Sequence, residues 1–130
     1  MNKTPTSCLT KATLAAGAST SLAEATIVNL TRAIAVVFQI EATYGASCND
    51  GLTLYLYPLT DNSDATVDTE FWDSWHATLS AGGTIRIHWP PDQEVHPLPA
   101  YMKAIVKNNS SGGANTAITS ITVRAVALNL

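Results

Sequence analysis

Ala33-Ile34-Ala35-Val36-Val37-Phe38-Gln39-Ile40-Glu41-Ala42-Thr43-Tyr44 is the stretch from which the rest of the chain is read. Ile34, Val36, Phe38, Ile40, Ala42 and Tyr44 share one parity, and Ala35, Val37, Gln39, Glu41 and Thr43 share the other. Side chains of a strand alternate between two faces, whereas a helix repeats every 3.6 residues, so this run predicts a strand. Its first face belongs to a core, and its second turns polar towards the end.

Working outward, Gly45 to Gly51 with Ser47, Asn49 and Asp50 is a turn cluster. After it Leu52, Leu54 and Leu56 alternate with Thr53, Tyr55 and Tyr57 until Pro58, which lacks an N–H and is expected to stop the strand. The two segments read as a hairpin or as neighbouring strands. Residues 60–70 form an acidic loop with Asp61, Asp64, Asp68 and Glu70, after which Phe71, Asp73, Trp75, Ala77 and Leu79 fall on one side and Trp72 on the other. Gly82-Gly83 reads as a hairpin-type turn. Ile85, Ile87 and Trp89 then alternate with Arg86 and His88 until Pro90-Pro91, and a Pro-rich connection occupies 90–99. Strands follow at 101–107 and 118–128, separated by the turn Asn108-Asn109-Ser110-Ser111-Gly112-Gly113. In the last, Ile121, Val123, Ala125 and Ala127 oppose Thr122, Arg124, Val126 and Leu128.

A strand near 8–14 and a short one around 25–30 bring the count to seven or eight. No helical period exceeds two turns, although Ser21 followed by Glu24 has capping-box spacing and makes a short helix within 19–28 the alternative. The expected fold is therefore all-β, a two-sheet antiparallel sandwich of jelly-roll or immunoglobulin-like type.

The chain has 130 residues, 46% of them hydrophobic, 13% charged, with a formal net charge of −3. That is one domain, expected as an extended N-terminal arm over 1–10 and a sandwich over 11–130. A chain this long buries roughly two-thirds of its surface, so its size calls for no metal or staple. The composition excludes a disordered chain, and the lack of a basic excess argues against nucleic acid as the main partner. The longest apolar run, 33–40, is too short to span a membrane as a helix, and Lys3 and Lys11 flank no stretch of signal-peptide length. Synthesis in the cytoplasm without a signal peptide, and no membrane partner, are expected. So few charges on a soluble domain imply that part of its surface is covered by something else.

An enzyme would need a nucleophile with its base, paired carboxylates or a metal cage, and no motif of that kind stands in the sequence. His76, His88 and His96 could converge on zinc only from neighbouring strands; the plainer reading leaves them as surface and loop residues. Asp61, Asn62, Asp64, Asp68 and Glu70 lack the order of a calcium loop and read as a solvated loop that guards a sheet edge. Cys8 and Cys48 have no ligand spacing; they are read as reduced thiols, with a disulfide between them as the alternative. No cofactor is expected. The aromatics are the most suggestive constellation: Tyr55 and Tyr57 oppose the leucine face, and Trp72 opposes Trp75. Exposed aromatics anchor protein partners or stack sugars. Tyr55, Tyr57, Trp72 and Trp89, with Asn2 and Lys3 of the polar start, are the candidate partner-contact residues, against the plainer reading that Trp75 and Trp89 belong to the core.

Tyr101-Met102-Lys103-Ala104-Ile105-Val106-Lys107-Asn108-Asn109-Ser110, with the alternating strand to Leu130, resembles the C-terminal hairpin of small β-sandwich structural proteins from tailed bacteriophage particles. Lys11-Ala12-Thr13-Leu14-Ala15-Ala16-Gly17-Ala18-Ser19 is similar in style. The resemblance covers about half the chain and carries no diagnostic motif. It implies a capsid cement or decoration protein: a jelly roll, a homotrimer, bound to the major capsid protein on the outer surface of the virion and stabilising its lattice. No site residue is carried over by position. A carbohydrate-binding or host-attachment module, and a tail or baseplate component, are the alternatives.

Overall fold

The computed structural model describes residues 2–90 and 97–130. Eight strands follow in chain order: β1 (Asn2–Leu14), β2 (Val28–Asn29), β3 (Ala33–Tyr44), β4 (Leu52–Leu59), β5 (Asp73–His76), β6 (Thr84–Trp89), β7 (Tyr101–Asn108) and β8 (Ile118–Asn129). They form two four-stranded sheets, sheet A in the order β1-β8-β3-β6 and sheet B in the order β2-β7-β4-β5. The pairs β1·β8, β2·β7, β3·β6 and β4·β5 are all antiparallel. The chain is thus one long hairpin bent at the β4–β5 loop, whose successive strand pairs fall alternately into one sheet and the other. The β3·β8 and β4·β7 pairings then close each sheet. This is the jelly-roll winding of an eight-stranded sandwich.

The alternation in β3 is realised as read. Val36, Phe38, Ile40, Ala42 and Tyr44 are buried and Val37, Gln39 and Glu41 are exposed. Ile34 breaks the pattern and is exposed, because the register slips between Ala33 and Ala35. Across the core stand Leu52, Leu54 and Leu56 of β4, Met102, Ala104 and Val106 of β7, and Ile118, Ile121 and Val123 of β8, all fully buried.

Neighbours in sequence are not neighbours in a sheet as often as expected. The connections from β3 to β4, from β5 across Gly82-Gly83 to β6, and from β7 to β8 each cross between sheets, so none is a hairpin. β4 also runs through Pro58, which pairs with Met102, to Leu59. It can do so because β5 pairs with β4 only as far as Leu56, leaving no ladder on that side for the missing N–H to break. The segment 2–10, expected as an arm, is extended and lies paired on β8 with an irregularity between Ser7 and Leu9. Between β1 and β2 the capping-box pair yields only a 3-10 turn, Leu22–Glu24, in which the Glu24 carboxylate accepts from the Ser21 N–H and hydroxyl.

The sheets are fastened at one end. The buried Asn108 carboxamide donates to the carbonyls of Leu14 (3.0 Å) and Thr116 (2.9 Å), and its oxygen accepts from the Ser110 N–H (3.0 Å). The Asn108 main chain meanwhile pairs with Gly17 and Ala18. Close by, the Tyr44 hydroxyl, at the end of a sheet A strand, accepts from the N–H of Leu52, which opens a sheet B strand (2.9 Å). Gly51 lies so near the Ala77 carbonyl, and Gly45 so near that of Asn115, that any Cβ there would overlap backbone.

Replacing Asn108 by Ala removes a donor from two buried carbonyls and the acceptor of the Ser110 N–H, so unfolding free energy should fall by about 2 to 4 kcal/mol. Asn108→Asp, which sets an acceptor against two acceptors, should cost more still. Urea unfolding monitored by tryptophan fluorescence checks both, with the midpoint moving and the slope constant.

Candidate functional site

The two outer faces of the sandwich differ in what covers them. On sheet B the chain covers its own face. Lys103 points outward from β7 yet its side chain is only 3% exposed, because its ammonium pairs with Asp64 (2.5 Å) and donates to the Leu22 carbonyl (2.7 Å). Both partners lie in 3-10 turns, Leu22–Glu24 and Asp64–Thr66, so one buried cation holds two loops on the sheet. Phe71 lies edge-on over Tyr55 (centroids 5.1 Å apart) and Tyr57 (6.4 Å) and is itself 47% exposed. The same β4–β5 connection carries the exposed Asp61, Asp68 and Glu70.

Sheet A is bare. Its registers set the outward residues in rows: Lys3, Leu128 and Ala35; Pro5, Val126 and Val37; Ser7, Arg124, Gln39 and His88; Thr10, Thr122, Glu41 and Arg86. The first two rows are apolar apart from Lys3, and the next two are polar, with Arg124 and Arg86 against the single carboxylate Glu41. Gln39, Glu41, Arg86, His88, Thr122 and Arg124 line a shallow concavity of about 320 Å³. Within it Arg86 contacts Glu41 at 3.3 Å. Where the first row ends, sheet A runs past the core. Asn2 and Thr4 point towards sheet B yet are exposed, and Ile34 (41%) and Leu130 (72%) are exposed beside them.

The candidate contact residues do not form one site. Tyr55 and Tyr57 do lie outward on sheet B, half-buried under Phe71. Asn2 and Lys3 are exposed at the far end of sheet A. Trp89 is a core residue, 2% exposed: its ring meets Phe38 (6.0 Å) and Trp72 (5.7 Å) edge-on, and its indole N–H donates to Asp73 (2.9 Å). Trp72 turns inward with it, and Phe71 takes the outward place, because residues 71 and 72 precede β5 and strand parity does not extend to them. Missed by sequence reasoning were Phe71, Arg86, Arg124 and the Val37–Val126 pair. The outward parity of the last three was legible; their adjacency depends on strand order.

His76 pairs with Asp50 (2.9 Å) at the edge of sheet B, while His88 is exposed on β6 of sheet A; the expectation for His96 lies outside the described residues. Asp61 accepts from the Thr66 hydroxyl, Asp68 accepts from the Glu70 N–H, and Asp64 is held by Lys103. Among the described residues no group of three or more His, Cys, Asp or Glu side chains gathers as a metal site would require. Glu24 is held below the usual carboxylate range by its hydrogen bond to Lys11 and then by the Ser21 N–H.

Both thiols are free and buried. Cys48 donates to the Thr116 carbonyl (3.3 Å), and desolvation pushes the Cys8 thiol up to about 12. Cys8 should therefore resist an aromatic disulfide reagent at pH 8 in the folded protein and react at once in urea. Since its folded value lies above the unfolded 9.0, the stability it contributes is complete below pH 9 and lost as pH rises towards 12. Lys103→Met should cost about 1 to 3 kcal/mol and speed hydrogen exchange in 60–70, because the clasp on both loops is gone.

No protein-family model and no curated protein sequence matches this chain. A solved chain of Bacillus endospore appendages, described as a novel family of disulfide-linked pili, is similar at 10% identity and a TM-score of 0.42, over 99% of this chain and 88% of its own.

Proposed function

We propose that this chain is a non-enzymatic structural protein that acts by surface contact, as a cement protein on the outside of a phage capsid. The observation that carries the reading is the end of sheet A that runs past the core. There Ile34 and Leu130 are exposed beside Asn2, Lys3 and Arg32, on three hydrogen-bonded strands. Exposed apolar side chains on a rigid platform, rimmed by polar and cationic groups, suit a protein contact that excludes water at its centre. The finer assignment, to a capsid, rests on the resemblance of 101–130 to small phage sandwich proteins. A cement protein gains from many equivalent lattice positions, so no single contact needs high affinity.

The sugar-binding alternative needs a flat exposed ring. Here Tyr55, Tyr57 and Trp72, the rings read as a stacking platform, are all half-buried, the tyrosines under Phe71 and Trp72 against Trp89.

The test is co-sedimentation with capsids assembled without this chain, from the phage that carries it. Saturable binding that raises the capsid melting temperature, and is lost in Ile34→Asp/Leu130→Asp with an unchanged circular dichroism spectrum, is the expected result. Absence of binding by the unaltered chain, or binding to tails in place of heads, would overturn the cement assignment.

A further inference from the structure

The two outer faces are complementary to each other. Sheet A offers Val37, Val126 and Pro5 beside Arg124, Arg86 and Lys3, with Glu41 as the lone carboxylate of its rows and already paired with Arg86. Sheet B offers Phe71 over Tyr55 and Tyr57, in a β4–β5 connection that also carries the exposed Asp61, Asp68 and Glu70, while Lys103 is buried in its pairing with Asp64. Its other outward lysine, Lys107, is half-buried and lies further along in the row of Thr53. Each face thus joins an apolar patch to charge, and the charges are opposite. Arg124 makes no hydrogen bond or ion pair among the described residues, and the concavity it lines is open to a carboxylate.

We propose that copies of this chain associate head to tail, the outer face of sheet A on one copy seating the acidic, Phe71-bearing face of sheet B on the next. Arg124 and Arg86 meet Asp68 and Glu70, and Val37 and Val126 meet Phe71. The contact is heterologous, so a copy that has used one face still offers the other. Because the faces lie on opposite sides of the sandwich, successive copies continue in line, and the product is an open row instead of a closed ring. The end of sheet A proposed to meet the capsid points along the strands, across the row, and is not consumed by it. The inference is independent of the capsid contact and fails separately.

The experiment is sedimentation velocity on the full chain over a hundredfold concentration range, in low salt and in about 1 M NaCl, where the screening length is ~3 Å. Mass rising with concentration beyond a dimer, and falling towards monomer in high salt, is expected. Arg86→Glu/Arg124→Glu removes one face and Asp68→Lys/Glu70→Lys the other. Each variant alone should associate at least about tenfold more weakly than the parent. Because the exchanged charges are themselves complementary, an equimolar mixture of the two restores opposite charge at every contact and should regain mass beyond a dimer. Circular dichroism spectra like that of the parent show that both variants fold. A parent monomeric at every concentration in low salt, a discrete dimer or trimer, or a mixture no heavier than either variant would each overturn the proposal.

Discussion

A single buried carboxamide governs where the two sheets are joined. Asn108 ends β7 in sheet B, and its side chain takes the carbonyls of Leu14, where β1 ends in sheet A, and of Thr116, just before β8 begins. Buried carbonyls without partners cost more than their hydrogen bonds contribute, so these three chain ends hold their relative positions or forfeit that energy. Everything else that closes this end is nearby: the Tyr44–Leu52 bond, the Cys48–Thr116 bond, and the close backbone approaches at Gly45 and Gly51. The opposite end has no comparable fastening. There β1, β3 and β8 hold one another by ladder bonds and by the Asn129 carboxamide donating to the Thr4 hydroxyl, all within sheet A, and run past the core, which is why apolar side chains stand exposed at that end.

Period two reveals which residues form strands and which face is inward, and in β3, β4, β6 and β8 that reading agrees with the structure to within a residue or two. It does not reveal to which sheet a strand belongs. Alternation is a property of one strand, whereas the sheet is decided by whether a connection turns back or crosses the core. Gly82-Gly83 looks the same in either case. The contact surface was legible only in part for the same reason. Lys3, Val126 and Arg124 could be read as outward residues, but nothing in a single strand brings Val126 beside Val37 or Arg124 beside Gln39. Trp72 was misplaced for a more local reason: strand parity was carried back across 71 and 72, which precede β5, whereas Trp89 keeps the inward parity of Ile85 and Ile87 and is buried.

The bare face of sheet A and the covered face of sheet B come from the same winding. The β4–β5 loop, at the bend of the long hairpin, and the β1–β2 connection are equally long, and each has the reach to fold over sheet B. Lys103 rewards that folding. A buried ammonium needs a carboxylate and further acceptors, and Asp64 with the Leu22 carbonyl supplies them only if both loops come down on the sheet. Among the described residues sheet A has no buried outward cation. Its arginines stay at the surface, and its rows of Thr, Val and Arg remain open.

Edges and faces are protected unequally, and this bears on how such a molecule associates. An unpaired strand edge invites indiscriminate addition of other chains. Here the edge strands of sheet B have two and four residues. On sheet A, the long edge strand β1 carries Lys3 and Pro5, and its Cys8 carbonyl is already taken by the Thr26 N–H. The other edge, β6, has six residues and is followed by Pro90. Main-chain pairing between molecules is thereby obstructed at all four edges. Side chains on the faces are left as the means of contact, and these carry charge and shape and so distinguish one partner from another, as backbone edges cannot.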